Sequence, residues 1–153
     1  RKAIALNGKG YIFNASKVEH ENPENFGTDV PDWLFLLASQ PDDLTRYYAC
    51  LAICMLGSTK EMEAAVIKSG TLALVEPFLL AHRAITFAGD HYKHSQGRPK
   101  EWLVRLLPML KSKCREAKSM AAFHFTMEAT IKKDQQKLEV FQVIFTFLIN
   151  FMI

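Results

Sequence analysis

The stretch DDLTRYYACLAICMLGS, residues 42–58, constrains the fold more than any other. Its Leu44, Tyr47, Tyr48, Leu51 and Met55 recur at intervals of three and four. On a helix of 3.6 residues per turn they form one apolar stripe, whereas on a strand they would scatter over both faces. The same spacing returns along the chain. Pro31 follows Asp29 and opens a helical PDWLFLLASQ, since proline fits a first turn whose amides have no partner anyway. TKEMEAAVIKSGTLALVEPFLL starts on a Thr59 cap, sets Met62, Val66 and Ile67 on one side, bends at Gly70 and resumes with Leu72, Leu74 and Val75. LVRLLPMLKSKCREAKSMAAFHFTMEATIKK repeats the logic with Ala121, Ala122, Phe125 and Met127. None of these segments alternates with period two, as a half-buried strand would. The predicted class is all-α, with a core containing Ala49, Leu51, Ala52, Met55, Leu74, Val75, Leu106, Leu107, Ala121 and Phe125.

A chain of 153 residues with 49% hydrophobic residues can bury one sizeable core, and this composition excludes disordered and fibrous classes. Cys50, Cys54 and Cys114 are odd in number and form no CxxC pair. Neither a disulfide framework nor a four-cysteine zinc site is encoded, and a reducing, cytoplasmic compartment is expected. The sequence opens without Met or a signal peptide and has no apolar run of the roughly 18 residues that a membrane span needs. It therefore reads as a piece of something longer, with no membrane span. Asn14 opens an Asn-Ala-Ser sequon, which has no meaning in a reducing cytosol.

The net charge of +3 conceals an asymmetry. Residues 19–43 hold seven acids and no Lys or Arg, whereas residues 91–118 hold eight Lys or Arg against Glu101 and Glu116, a local balance of +6. Solvated helix faces account for this pattern, and a basic surface meeting phosphates or an acidic domain is the sharper alternative. Nucleic acid is not expected as a partner, because no aromatic residues interleave with the basic ones as a stacking platform requires.

The run HYKHSQGRPKEW, residues 91–102, concentrates polar chemistry between two apolar helical blocks. His91 and His94 stand at a spacing that could hold zinc, but a site needs further ligands, which Cys114 or His82 would have to supply. No metal is expected. His124 and Glu128 lie one helical turn apart, yet no nucleophile accompanies them, so a buried histidine with a carboxylate partner is the expected reading and no catalytic residue is assigned.

Repetition adds architecture. Ser39 precedes Ala49 by ten residues, as Ser112 precedes Ala122, and the offset of 73 residues between the serines is near two periods of a helical repeat of about 40. Between them the SGTLALVEPFLL helix is followed only by AHRAITFAGD and the polar run. The pattern S-x-D-D, A-x-x-A, K-S-G-x-L-x-L-V resembles an armadillo repeat, which implies a right-handed helical solenoid. About three repeats would occupy residues 31–144, with an irregular loop at 88–100. RKAIALNG resembles the end of a preceding repeat, and the rest of residues 1–30 reads as an irregular, disordered insertion. The last nine residues, FTFLINFMI, read as an apolar tail at 145–153. Many armadillo arrays bind extended peptides through a Trp followed one turn later by an Asn, but here Leu37 and Leu106 stand four residues after Trp33 and Trp102. Both tryptophans are expected in the core.

YYACLAICMLGSTKEMEAAVIKSGTLALVEPFLL, SQGRPKEWLVRLLPML and AAFHFTMEATIKKDQQKLEVF are more specific. Over about residues 31–144 they resemble the armadillo region of the SARM family, NAD-cleaving proteins with sterile-alpha and TIR motifs that act in axon degeneration and innate immunity. The resemblance implies that this chain is not itself an enzyme but a regulatory, autoinhibitory segment. It needs no cofactor, binds NAD+ or nicotinamide mononucleotide as an allosteric ligand, and restrains a TIR domain that hydrolyses NAD. The partners implied are the TIR and SAM domains of the same protein, with homo-oligomerisation through domains other than this one, in the neuronal cytoplasm. The implied nucleotide-binding residues are Ser95, Gln96, Gly97 and Arg98, a loop closing over the ligand. Gly97 permits close approach to a phosphate, Arg98 offers a planar fork, and Ser95 and Gln96 can serve amide or ribose oxygens. The other sensor residues of the family lie in earlier repeats, so these 153 residues alone are expected to hold nucleotide weakly or not at all. A peptide- or partner-binding armadillo scaffold without a small ligand is the alternative.

Overall fold

The computed structural model describes residues 30–134 and, beyond them, Thr146. The expectations for residues 1–29, including Asn14, and for the tail at 145–153 apart from Thr146 lie outside the described residues. Every regular element among the described residues is helical and no strand occurs. The chain divides into two compact units, one ending at Phe78 and the other beginning at Leu79.

The first unit is built around α2, Asp43–Leu56, with α1, Asp32–Ala38, packed against it. Pro31 caps α1, and Asp42 caps α2 by accepting the Thr45 N–H at 2.8 Å and the Thr45 hydroxyl at 2.7 Å. Residues 47–54 and Leu56 are all buried, so α2 is not a half-exposed amphipathic helix with one stripe. Neighbours cover it on several sides, and the small side chains of Ala49 and Ala52 admit them closely. Tyr47 lies 5.8 Å from the Phe78 ring, and the Arg46 guanidinium covers that ring at 5.8 Å.

Gly70 bends the chain as its sequence position predicts. It closes α3, Glu63–Ser69, at φ +74, and a 3-10 turn, Thr71–Leu74, leads into α4, Val75–Ala81. The axes before and after Gly70 differ by 66°. The start of α3 differs from expectation. The Thr59 hydroxyl donates back to Leu56 O at 2.8 Å, and it is the Thr59 carbonyl that receives the N–H groups of Met62 and Glu63, so α3 begins after Met62.

In the second unit α8, Arg115–Asp134, packs on α5, Ala84–His91, and on α7, Leu107–Lys111; α6, Lys100–Val104, lies between in sequence. AHRAITFAGD thus carries a true helix, α5, and the irregular chain is residues 92–99. The long block after Trp102 breaks twice. Turn residues Arg105 and Leu106 separate α6 from α7, and Ser112 ends α7 by accepting the Cys114 N–H at 3.0 Å. Phe87, Trp102, Leu103, Leu106, Met109, Ala121, Phe125 and Met127 form much of this core.

Seven of the ten predicted core residues are buried: Ala49, Leu51, Ala52, Val75, Leu106, Ala121 and Phe125. Met55, Leu74 and Leu107 are half-exposed, and Ile67 stands 62% exposed. The helices are shorter and more broken than the pattern suggested, so the phase carried across Gly70 and Leu106 slips. Trp102 is buried as expected and Trp33 half-buried. No single helix among the described residues is long and apolar enough to cross a membrane.

Candidate functional site

The loop between α5 and α6 takes a defined path. The Tyr92 N–H bonds Ala88 O at 2.8 Å, the Ser95 N–H returns to Tyr92 O at 3.0 Å, and the Ser95 hydroxyl accepts the Gly97 N–H at 3.0 Å. Gly97 sits at φ +76, a left-handed conformation that side chains resist, and a Cβ there would lie 2.5 Å from Glu128 Oε2. Sequence alone suggested that this glycine lets a phosphate approach. In the structure the group that approaches is the carboxylate of Glu128.

Glu128 belongs to a row on α8. His124, Glu128 and Lys132 recur every four residues, so they share one face, and all three are at most 3% exposed. The Arg98 N–H donates to both Glu128 oxygens, at 3.1 and 2.9 Å. Lys132 Nζ donates to Glu128 Oε2 at 2.6 Å and to Arg98 O at 2.7 Å, closing a ring of hydrogen bonds around the Arg98 main chain. His124 Nε2 faces Glu128 Oε1 at 3.4 Å, and its ring packs 4.9 Å from Trp102. The Arg98 guanidinium lies over the same Trp102 ring at 5.1 Å, so one indole supports both side chains.

Electrostatics follow from this packing. Burial alone would raise the Glu128 pKa, but the His124 ring beside it, the hydrogen bond from the Lys132 ammonium and the Arg98 N–H outweigh it and draw the carboxyl down to about 2. Burial pushes the His124 pKa down, Glu128 pulls the other way, and the charges of Arg98 and Lys132 add to the downward shift, so the imidazole is neutral in the fold. The expected buried histidine with a carboxylate partner is what the structure contains. Its carboxylate is used to hold a loop.

The four residues assigned to nucleotide binding are placed unequally. Ser95, Gly97 and Arg98 line a cavity of about 120 Å³ together with Tyr92, His124, Met127, Glu128 and Ile131, while Gln96 is exposed and does not line it. A wider hollow of about 550 Å³ opens beside it, between Ile85, Ala88, Gly89, Tyr92 and Lys93 on one side and Thr130, Ile131 and Lys133 on the other. Of the histidines weighed as zinc ligands, His82 and His91 pack on the Phe87 ring, at 5.3 and 4.3 Å, and His94 is exposed. Cys114 Sγ lies 3.3 Å from a Glu116 oxygen. No three His, Cys, Asp or Glu side chains among the described residues gather as a metal site requires.

Sequence reading missed Lys132, which the string TIKK presents as one of two ordinary basic residues at a helix end. The signal was the spacing of His124, Glu128 and Lys132, three ionisable groups on a single helical face.

No protein-family profile matches the chain. It is 64% identical over 116 residues to NAD(+) hydrolase tir-1 of Caenorhabditis elegans, a match covering 75% of this chain and 12% of that protein. It is 51% identical over 115 residues to NAD(+) hydrolase sarm1 of Drosophila melanogaster, covering 75% of this chain and 8% of that protein. To NAD(+) hydrolase SARM1 of Danio rerio it is 44% identical over 117 residues, covering 74% of this chain and 16% of that protein. The chain therefore spans between 8% and 16% of the length of these curated relatives. With identities of 44 to 64% sustained over three quarters of its sequence, the chain belongs to the SARM family.

Proposed function

We propose that this chain is a regulatory segment of an NAD+-cleaving signalling protein, an armadillo-type array whose loop at Ser95, Gln96, Gly97 and Arg98 closes over NAD+ or nicotinamide mononucleotide. The observation that carries the reading is the 64% identity to a protein named NAD(+) hydrolase, and a loop of defined path that carries Arg98 is consistent with it. The armadillo architecture draws support from local structure that recurs. A short helix, a serine and a long helix follow one another at Asp32–Ala38, Ser39 and Asp43–Leu56, and again at Leu107–Lys111, Ser112 and Arg115–Asp134.

In this reading the segment is not itself catalytic. Nucleotide held at the loop favours one arrangement of the array, and that arrangement restrains a TIR domain elsewhere in the protein. The ligand acts only through its differential affinity for the restrained state. Arg98 contributes a half-buried guanidinium that can meet a phosphate bidentately.

The test is calorimetric titration of nicotinamide mononucleotide into the full-length protein, with Arg98→Glu beside it. Loss of one charge-assisted contact, about 1.5–3 kcal/mol, should weaken binding by about tenfold or more and raise basal NAD+ hydrolysis. Absence of binding by the wild type, or unchanged affinity and basal activity in the variant, would leave a scaffold that binds peptides or partners.

A further inference from the structure

The N–H that follows a left-handed glycine is the usual receptor for a phosphate in a tight loop, because a chain without a Cβ can come close and the amide points outward. Here that N–H, on Arg98, is already committed to Glu128, and the carbonyl of the same residue is committed to Lys132. A phosphate arriving at this amide would have to displace a buried carboxylate that is bonded to a buried ammonium at 2.6 Å. Breaking such a pair leaves an uncompensated charge in the core, which is far more costly than losing a surface contact. The side chain of Arg98 has a different support: its guanidinium lies over the Trp102 ring at 5.1 Å, in a residue that is half-buried and not sealed in the core as Glu128 and Lys132 are.

We propose that Glu128 and Lys132 are positioning residues that fix the Arg98 main chain and thereby aim its guanidinium, so that an anionic ligand is received by the Arg98 side chain and not by the main-chain amides of the loop. The inference rests on the nucleotide reading above for the identity of that ligand. It also gives the loop a mechanical partner. Because both grips come from α8, a displacement of Arg98 is transmitted to that helix, and the loop has no hinge at residues 97 and 98.

The experiment uses the full-length protein as wild type, Glu128→Gln, and Glu128→Gln with Lys132→Met, each with and without Arg98→Gln. The doubly neutral variant keeps the question answerable if the lone buried lysine of Glu128→Gln prevents folding. Affinity for nicotinamide mononucleotide is measured by calorimetry, and exchange of the Arg98 amide hydrogen by mass spectrometry or NMR. Neutralising Glu128 is expected to weaken binding about tenfold, since small misplacements of a ligand-holding group are costly. In the Arg98→Gln background the same change should alter affinity less than about twofold, the limit of ordinary additivity error. Independent, multiplying losses would overturn the proposal, as would tighter binding on neutralising Glu128, which would mean that the freed amide takes the phosphate. If the wild type binds no nucleotide, the functional reading fails and the anchor is decided by exchange alone. Arg98 amide exchange at least about tenfold faster in the variants supports it, and equal rates overturn it.

Discussion

Gly70 and Gly97 share nearly the same backbone conformation, φ +74 and +76, but differ in what surrounds them. Replacing each with alanine therefore separates backbone strain from steric conflict. At Gly70 a Cβ meets nothing within 4 Å, so the substitution should cost only the left-handed penalty, about 1–2 kcal/mol, less a few tenths returned by the stiffer unfolded chain. At Gly97 the same penalty applies, and the Cβ would also stand 2.5 Å from Glu128 Oε2 and 3.1 Å from Lys132 Nζ. An exposed glutamate would swing aside at little cost. This one is 2% exposed and holds Arg98 and Lys132, so moving it breaks at least one charge-assisted hydrogen bond, about 1.5–3 kcal/mol. Gly97→Ala should thus destabilise by about 2.5–5 kcal/mol, roughly 1.5–3 more than Gly70→Ala. Urea unfolding followed by circular dichroism, with the slope checked for constancy, reads the difference. Costs equal to within about 0.5 kcal/mol would show that the carboxylate yields freely and that the Glu128 ring around Arg98 does not hold the loop.

Leu106 is fully buried between α6 and α7, and Leu106→Ala should cost about 2–5 kcal/mol in the same assay; a loss below about 0.5 kcal/mol would refute its place in the core. Acid should destabilise the second unit in two stages of the same sign. The folded pKa of His124 lies below its ordinary 6.5, so its contribution is present above that pH and is lost as pH falls below it. The folded pKa of Glu128 is about 2 against an ordinary 4.5, so its contribution is present above 4.5 and is lost as pH falls from there toward 2. The groups facing Glu128 are His124, Lys132 and Arg98, and a Glu128→Gln variant should lose the lower stage while keeping the upper. An unchanged acid slope in urea midpoints between pH 4.5 and 2 would remove Glu128 from the account.

The helical class was legible because 3.6-residue periodicity is a local property. The helix through Tyr47, Tyr48 and Leu51, though not its burial on every side, the bend at Gly70 and the burial of Trp102 all follow from spacing, conformational freedom or size. What periodicity could not show was where one helix stops and the next begins. Leu107 and Leu74 fit an unbroken pattern, but turns at Arg105–Leu106 and at Gly70 shift the phase and leave both half-exposed. Thr59 could equally cap through its hydroxyl or its carbonyl, and a choice between two hydrogen bonds of similar strength is made by the path of the neighbouring chain.

The loop shows the same division more sharply. The family resemblance marked residues 95–98 as a place where the chain meets an anion, and Gly97 by itself signals only a backbone that can come close to a neighbour. Which anion comes close was settled by tertiary structure. Glu128 lies 30 residues away from Arg98, and only the packing of α8 beneath the loop brings its carboxylate to that N–H. A sequence encodes the receptor because amides and glycines act locally. It does not spell out the occupant, because charges separated by thirty residues meet only when the core that buries them has formed, and burial is what makes their pairing obligatory.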